Sequence, residues 1–184
     1  MRYKYIDAPA TEVLSLTDVK SYLKIDHTVE DDLINSLIKS ARDYVETYLN
    51  KTLLTRMLQL SFTKCVRVYT LPILPVQSIT KIEYIDDDGE LEVVATTAYE
   101  LRANQGVLII KDNSVFNDAA DDFEIVVTCK TGYTAVDEIP EAIVQALLLI
   151  VADSYENRGN CAHNTRNVKT SQFLLNPHRN IQFS

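Results

Sequence analysis

Three stretches of this chain hold residues whose types could do chemistry. Asp86-Asp87-Asp88-Gly89 concentrates carboxylates, as a calcium site does. A calcium loop, however, alternates its acids and closes with a distant glutamate, and this run does neither. A hairpin turn is the expectation, with Gly89 supplying positive φ and the aspartates bonding nearby amides. Cys161-x-His163, with His178 downstream, offers a thiol and imidazoles but no second pair at a zinc spacing. A polar loop that holds a thiol is the simpler reading. The third stretch joins Arg166, Lys169 and Arg179 to the apolar run Phe173-Leu174-Leu175, closed by Pro177. Cations around an apolar anchor, after a polar linker, fit a grip on a protein partner. No Gly-x-Ser-x-Gly, His-Glu-x-x-His or glycine-rich phosphate loop occurs. No catalytic residue, metal or cofactor is therefore expected.

The elements that must position these residues begin with Ser15–Leu49, which reads as two helices around a polar turn, Lys24–Thr28. Ser15 and Asp18 form a start signal, and Val19, Tyr22 and Leu23 share one face. Thr28-Val29-Glu30-Asp31 repeats the start signal. Leu33, Ile34, Leu37, Ile38, Ala41, Val45, Tyr48 and Leu49 then recur at helical spacing. Asp32, Lys39, Arg42, Asp43 and Glu46 fall on the opposite face. Such a pair could enter a DNA groove, but Asp31, Asp32, Asp43 and Glu46 would meet phosphate, so a structural role is expected. Residues 1–14 read as an extended lead-in. The period changes to two at Leu58, Leu60 and Phe62. Strands are expected near 65–71, 76–85, 91–94, 99–101, 107–110 and 123–130, with a proline break at Leu71–Pro75 and an acidic loop at 111–122. Ile79, Lys81, Glu83 and Ile85 fall on alternate positions. A second long helix is predicted from Pro140 to about Arg158. Its face carries Ile143, Ala146, Leu147, Ile150 and Val151, and Leu148 and Leu149 widen the arc. One apolar turn is expected at 173–177.

The implied fold class is α+β, a small helical bundle built from both chain ends with an inserted antiparallel β-sheet segment. Residues 1–52 and 137–158 form the bundle, 53–136 the insertion, and 159–184 a flexible tail with an apolar anchor, within a single domain of 184 residues. Hydrophobic residues at 46% and charged residues at 24% fit a globular protein. Cys65, Cys129 and Cys161 are scattered and odd in number, which fits free thiols in a reducing compartment. No apolar run reaches the roughly 18 residues of a membrane span, and the N-terminus lacks the core of a signal peptide. The net charge of −8 opposes general affinity for nucleic acid. The charge is uneven: residues 159–184 contain no acid and only the three bases named above.

Several ordered motifs resemble one family. They are Ser15-Leu16-x-Asp18-Val19-Lys20-x-Tyr22-Leu23-Lys24-Ile25-Asp26, Asp31-Asp32-Leu33-Ile34-x-x-Leu37-Ile38-x-x-Ala41-Arg42, Leu71-Pro72-x-x-Pro75-Val76-Gln77-Ser78-Ile79, and Tyr84-x-Asp86-x-Asp88-Gly89. Gly132-Tyr133, Ile139-Pro140-x-x-Ile143, Tyr155-Glu156-Asn157-Arg158 and Leu174-Leu175-x-Pro177-x-Arg179 complete the series. Together they resemble the head–tail connector (head-completion adaptor) family of tailed bacteriophages and prophages. The resemblance implies a non-enzymatic ring beneath the portal protein, expected as a dodecamer in the virion neck and a monomer when free in the host cytoplasm. It also implies a neck or tail-completion protein as a further partner, and DNA passing through the channel without sequence-specific binding or any membrane contact. In that setting Arg166, Lys169, Phe173, Leu174, Leu175, Pro177 and Arg179 are expected to meet the portal. Asp31, Lys39, Arg42 and Glu46 are expected to pack subunits. A standalone protein-binding module, or a small hydrolase with an acidic site near Asp86–Asp88, Asp112 or Asp121, are the alternatives.

Overall fold

The computed structural model describes residues 2–86, 88–116, 124–158 and 165–180, with the side chains of 113 and 165–168 left aside. The chain is α+β and divides into two compact units, Met1–Pro9 with Thr55–Tyr133 and Ala10–Leu54 with Thr134–Ser184.

The first unit is the β unit. Its strands are β1 Arg2–Tyr5, β2 Arg56–Phe62, β3 Val68–Thr70, β4 Val76–Ile85, β5 Leu91–Val93, β6 Tyr99–Arg102, β7 Val107–Ile110 and β8 Ile125–Thr131. Five of them form an antiparallel sheet in the order β1-β2-β8-β4-β5, and three form a smaller sheet, β3-β7-β6. The lead-in is thus an edge strand: Tyr3 pairs with Leu60 and Lys4 with Gln59. Residues 1–9 accordingly belong to the β unit and not to the bundle. The alternation in β2 buries Leu58, Leu60 and Phe62. They meet Ile82, Tyr84, Leu108, Ile110, Val127 and Cys129 in one core. Burial pushes the Cys129 thiol up to about 12, so it acts as a small inert core group.

Strict alternation fails in β4. The register slips between Ile79 and Lys81, since Ile79 faces Cys129 whereas Lys81 faces Thr128. This bulge turns Ile79 toward the core and leaves Lys81, Glu83 and Ile85 on the other side. The proline break buries Leu71 and Ile73. The loop after β7 includes a 3-10 turn at Asn113–Phe116, whose Phe116 is buried against Tyr84.

The acidic hairpin joins β4 to β5 as its composition predicts. Gly89 has φ +82°, and the Asp86 carboxylate accepts from the amides of Asp88 (3.1 Å) and Glu90 (2.7 Å). Gly106 is a tighter case: at φ +62° a Cβ would come within 2.5 Å of the Leu74 side chain.

The second unit is helical: α1 Leu16–Leu23, α2 Asp31–Leu49, α3 Glu141–Glu156 and α4 Thr165–Leu175. Ser15 caps α1 by accepting from the Asp18 amide at 3.1 Å, which is worth about 1 kcal/mol. The second start signal works differently. The N-cap of α2 is Glu30, and Thr28 contributes its carbonyl to the Asp31 amide. Ile34, Ile38, Ala41, Val45 and Leu49 are buried, and α3 packs against α2, α1 and α4. Ile143, Ala146, Leu147 and Val151 supply its inner face, whereas Leu148, Leu149 and Ile150 are only half-buried. The single apolar turn expected at 173–177 is the end of an eleven-residue helix followed by a 3-10 turn, Asn176–His178.

Candidate assembly surface

The C-terminal element sorts its residues by helical period. Ser171 and Leu175, four apart, are buried, with Leu175 fully enclosed. Lys169 and Phe173, also four apart, are exposed, and Phe173 keeps 75% of its surface in solvent. Leu174 is half-buried, and Pro177 is exposed. The backbone of Arg166 is helical. Leu175 is therefore a core anchor, and Lys169, Phe173 and Pro177 form the presented side.

The chain beyond α4 is tied to the C-terminal end of α2. Tyr48 donates its hydroxyl to the Asn176 Oδ1 at 2.6 Å, and the Asn180 amide donates to the Leu49 carbonyl at 2.8 Å. Asn50, in the left-handed region at φ +52°, donates its Nδ2 to the Asn180 carbonyl at 3.1 Å. The exposed Arg179 places its guanidinium 5.2 Å from the centre of the Tyr48 ring, and Tyr48 stacks on Tyr44.

Two of the residues expected to pack subunits, Arg42 and Glu46, are buried within the helical unit. Arg42 is 7% exposed and Glu46 is 6% exposed. The Arg42 Nε donates to Glu12 at 2.8 Å, and its Nη1 donates to Asp43 at 2.9 Å and Glu46 at 3.3 Å. Glu46 also accepts from the Leu53 amide at 2.8 Å. Burial alone would lower the Arg42 pKa, but hydrogen bonding to Glu12 and the charges of Glu12, Glu46 and Asp43 raise it. The cause is the length of the arginine side chain, which reaches from the polar face of α2 back to Glu12. Periodicity places a Cβ but not a guanidinium. Asp31 accepts from Lys20 at 2.6 Å, and Lys39 is exposed.

A further cluster leaves little mark in the sequence beyond its place in a motif. Glu30, at the start of α2, accepts from Arg158, just past α3, at 2.5 Å and from the hydroxyl of Tyr155, in the last turn of α3. Arg158 lies over the Tyr155 ring at 4.0 Å, and His27 stands 3.9 Å from Glu30. The Arg158 hydrogen bond first, then that of Tyr155, lowers the Glu30 pKa to about 2. The same bonds raise the pKa values of Arg158 and Tyr155. The one trace of this cluster in the sequence is the closeness of Tyr155, in the last turn of α3, to Arg158, two residues past the end of that helix.

The acids considered for a hydrolytic site turn to their own backbone. Asp86 serves the hairpin, and Asp112 accepts from the Ser114 amide at 2.9 Å, which lowers its pKa. Asp87, Asp121, Cys161 and His163 lie outside the described residues, as does the chain from Gly159 to Asn164.

The chain thus presents a helical unit with a basic, apolar C-terminal face and a β unit with an acidic hairpin. The profile of the head completion protein family matches residues 12–176, so the chain belongs to that family and has the structural role of a head–tail connector. Solved chains from gene transfer agent (GTA) particles share its fold. One is from the neck of an empty particle computed with C6 symmetry, at a TM-score of 0.82 and 20% identity, over 100% of this chain and 98% of that one. Another, from the virion of a native particle, has a TM-score of 0.80 and 21% identity over the same shares. A third, from the neck of a native particle computed with C12 symmetry, has a TM-score of 0.75 and 20% identity, again over 100% and 98%. No curated protein sequence matches the chain.

Proposed function

We propose that the protein completes the head of a tailed phage or prophage particle as a ring of identical copies beneath the portal. There it extends the DNA channel and offers a surface to the next neck or tail component. The observation that carries this reading is the family match over residues 12–176. The end-to-end fold agreement with chains of sixfold and twelvefold GTA necks supports the ring. In this role the protein acts without catalysis, assembles in the host cytoplasm and resides in the virion neck. An acidic body suits a channel, since a net charge of −8 repels phosphate and lets DNA slide. The outer side of α4, with Lys169, Phe173 and Pro177, is the portal-facing element, Arg179 adds positive charge beside it, and Arg166 is a further candidate by its place in the sequence. Lys39 and Asp31 remain candidates for packing between subunits.

The test is removal of the protein from the producing cell. DNA-filled heads without attached tails are expected, with tails restored by the wild-type chain. Tailed particles of normal yield in its absence would overturn the reading.

A further inference from the structure

Within the helical unit, α2 and the end of α4 meet along a matched spacing. Gln172 and Asn176, four apart, reach Tyr44 and Tyr48, also four apart. The Gln172 Nε2 lies 3.5 Å from the Tyr44 hydroxyl, and Asn176 accepts from Tyr48 at 2.6 Å. Ser171 and Leu175 point inward from α4. At about 100° of rotation per residue, Lys169 and Phe173 then follow Gln172 and Asn176 directly round the helix, on the side away from the core. The tyrosines of α2 and the exposed stripe of α4 are therefore neighbours on one surface. Phe173 and Tyr44 are its exposed aromatic groups, Tyr48 stacks on Tyr44, and the Arg179 guanidinium stands over Tyr48. Aromatic rings and an arginine in one patch are the residue types that carry most binding energy in protein interfaces. They supply large contact area at small cost in side-chain freedom.

We propose that Tyr44, Tyr48 and Arg179 join Lys169 and Phe173 in one docking surface, and that its occupant is a portal segment that sets carboxylates beside an apolar side chain. Charge selects this occupant. Among the described residues neither Lys169 nor Arg179 meets a carboxylate, and residues 159–184 contain no acid that could serve them. Asp43, beside Tyr44 in sequence, is held by Arg42 at 2.9 Å. The two cations are thus left for a partner's carboxylates, while Phe173 and the tyrosine pair offer apolar faces between them. The same surface on a second copy would set cation against cation. Nucleic acid would meet two cations on a chain of net charge −8, which opposes its approach. An acidic protein segment with an apolar anchor satisfies both the charges and the rings. Stacking on Tyr48 orients the Arg179 guanidinium in advance, so less freedom is lost when a carboxylate binds it.

The proposal rests on the portal reading of α4, and its test separates the two. The probe is immobilised portal protein of the same particle. The full chain is compared with K169E/R179E, with Tyr44→Ala and with Phe173→Asp at one salt concentration. Each change is expected to weaken retention about tenfold or more, and thermal midpoints near the wild-type value show that the variants are folded. Portal variants that restore tailed particles to K169E/R179E are then selected, and they are expected to replace a carboxylate with lysine or arginine. If Phe173→Asp loses the portal while K169E/R179E and Tyr44→Ala keep it, the composite surface is wrong and the portal reading of α4 stands. If all three variants bind as wild type does, that reading itself fails. Compensating changes confined to acids of this chain would assign the surface to a second copy and overturn the proposal. So would retention of a single-stranded oligonucleotide that K169E/R179E abolishes while it leaves portal retention unchanged.

Discussion

At the scale of single residues, the groups that do most are ion pairs within the helical unit. Arg42 holds Glu12 and Glu46 in a nearly dry site, and Glu46 also bonds the Leu53 amide. Removing the cation strands two carboxylates there. Arg42→Ala is expected to cost about 3 kcal/mol or more in urea unfolding, far beyond an ordinary surface change. Glu30 behaves differently with pH. Its folded pKa of about 2 lies below the ordinary value of 4.5, so it stabilises the folded chain fully above about pH 4.5. That contribution is lost as pH falls from there toward 2. The stability gap between wild type and Glu30→Gln should therefore be plain at pH 7, shrink at pH 4 and shrink further at pH 3. Urea midpoints at the three pH values check this, and a gap that widens on acidification would refute the Arg158–Tyr155 clasp.

At the scale of elements, α4 separates holding from presenting. Leu175 is enclosed, and Leu175→Ala should destabilise by about 2–4 kcal/mol through lost packing and a cavity. Phe173 is largely in solvent, and Phe173→Asp should change stability by no more than about 0.5 kcal/mol while reducing retention on immobilised portal. Deleting 172–184 removes Leu175 as well, so loss of portal retention in that truncation would mix unfolding with lost contact. The substitution at Phe173 avoids this. Both helices joined by the Glu30 clasp were legible from periodicity, as was the hairpin at Asp86–Gly89. The length of α4 was not, because Thr165–Thr170 has no apolar stripe and only neighbouring α3 gives this segment a reason to be helical.

At the scale of the whole molecule, charge is unevenly distributed. The β unit carries cations on one outer strand and carboxylates on the other, and the acid-free C-terminal region ends the helical unit. Portal retention through Phe173 should change little between 10 and 100 mM salt, since apolar contact is not screened.

By itself the sequence determined the α+β class, the capped start of α1, the buried stripe of α2, the acidic hairpin and the family resemblance, because each is written in local period, local turn chemistry or ordered motifs. The tertiary structure alone decided which polar groups face inward. Arg42 and Glu46 lie on the polar face of their helix yet meet Glu12 and Leu53 from another part of the chain. It also made an edge strand of the lead-in, since β1 has no partner until β2 arrives more than fifty residues later. The shift of Ile79 to the core is of the same kind, because a bulge is defined only by the strand opposite. Pairing across the chain supplies what local spacing cannot: the identity of the neighbour.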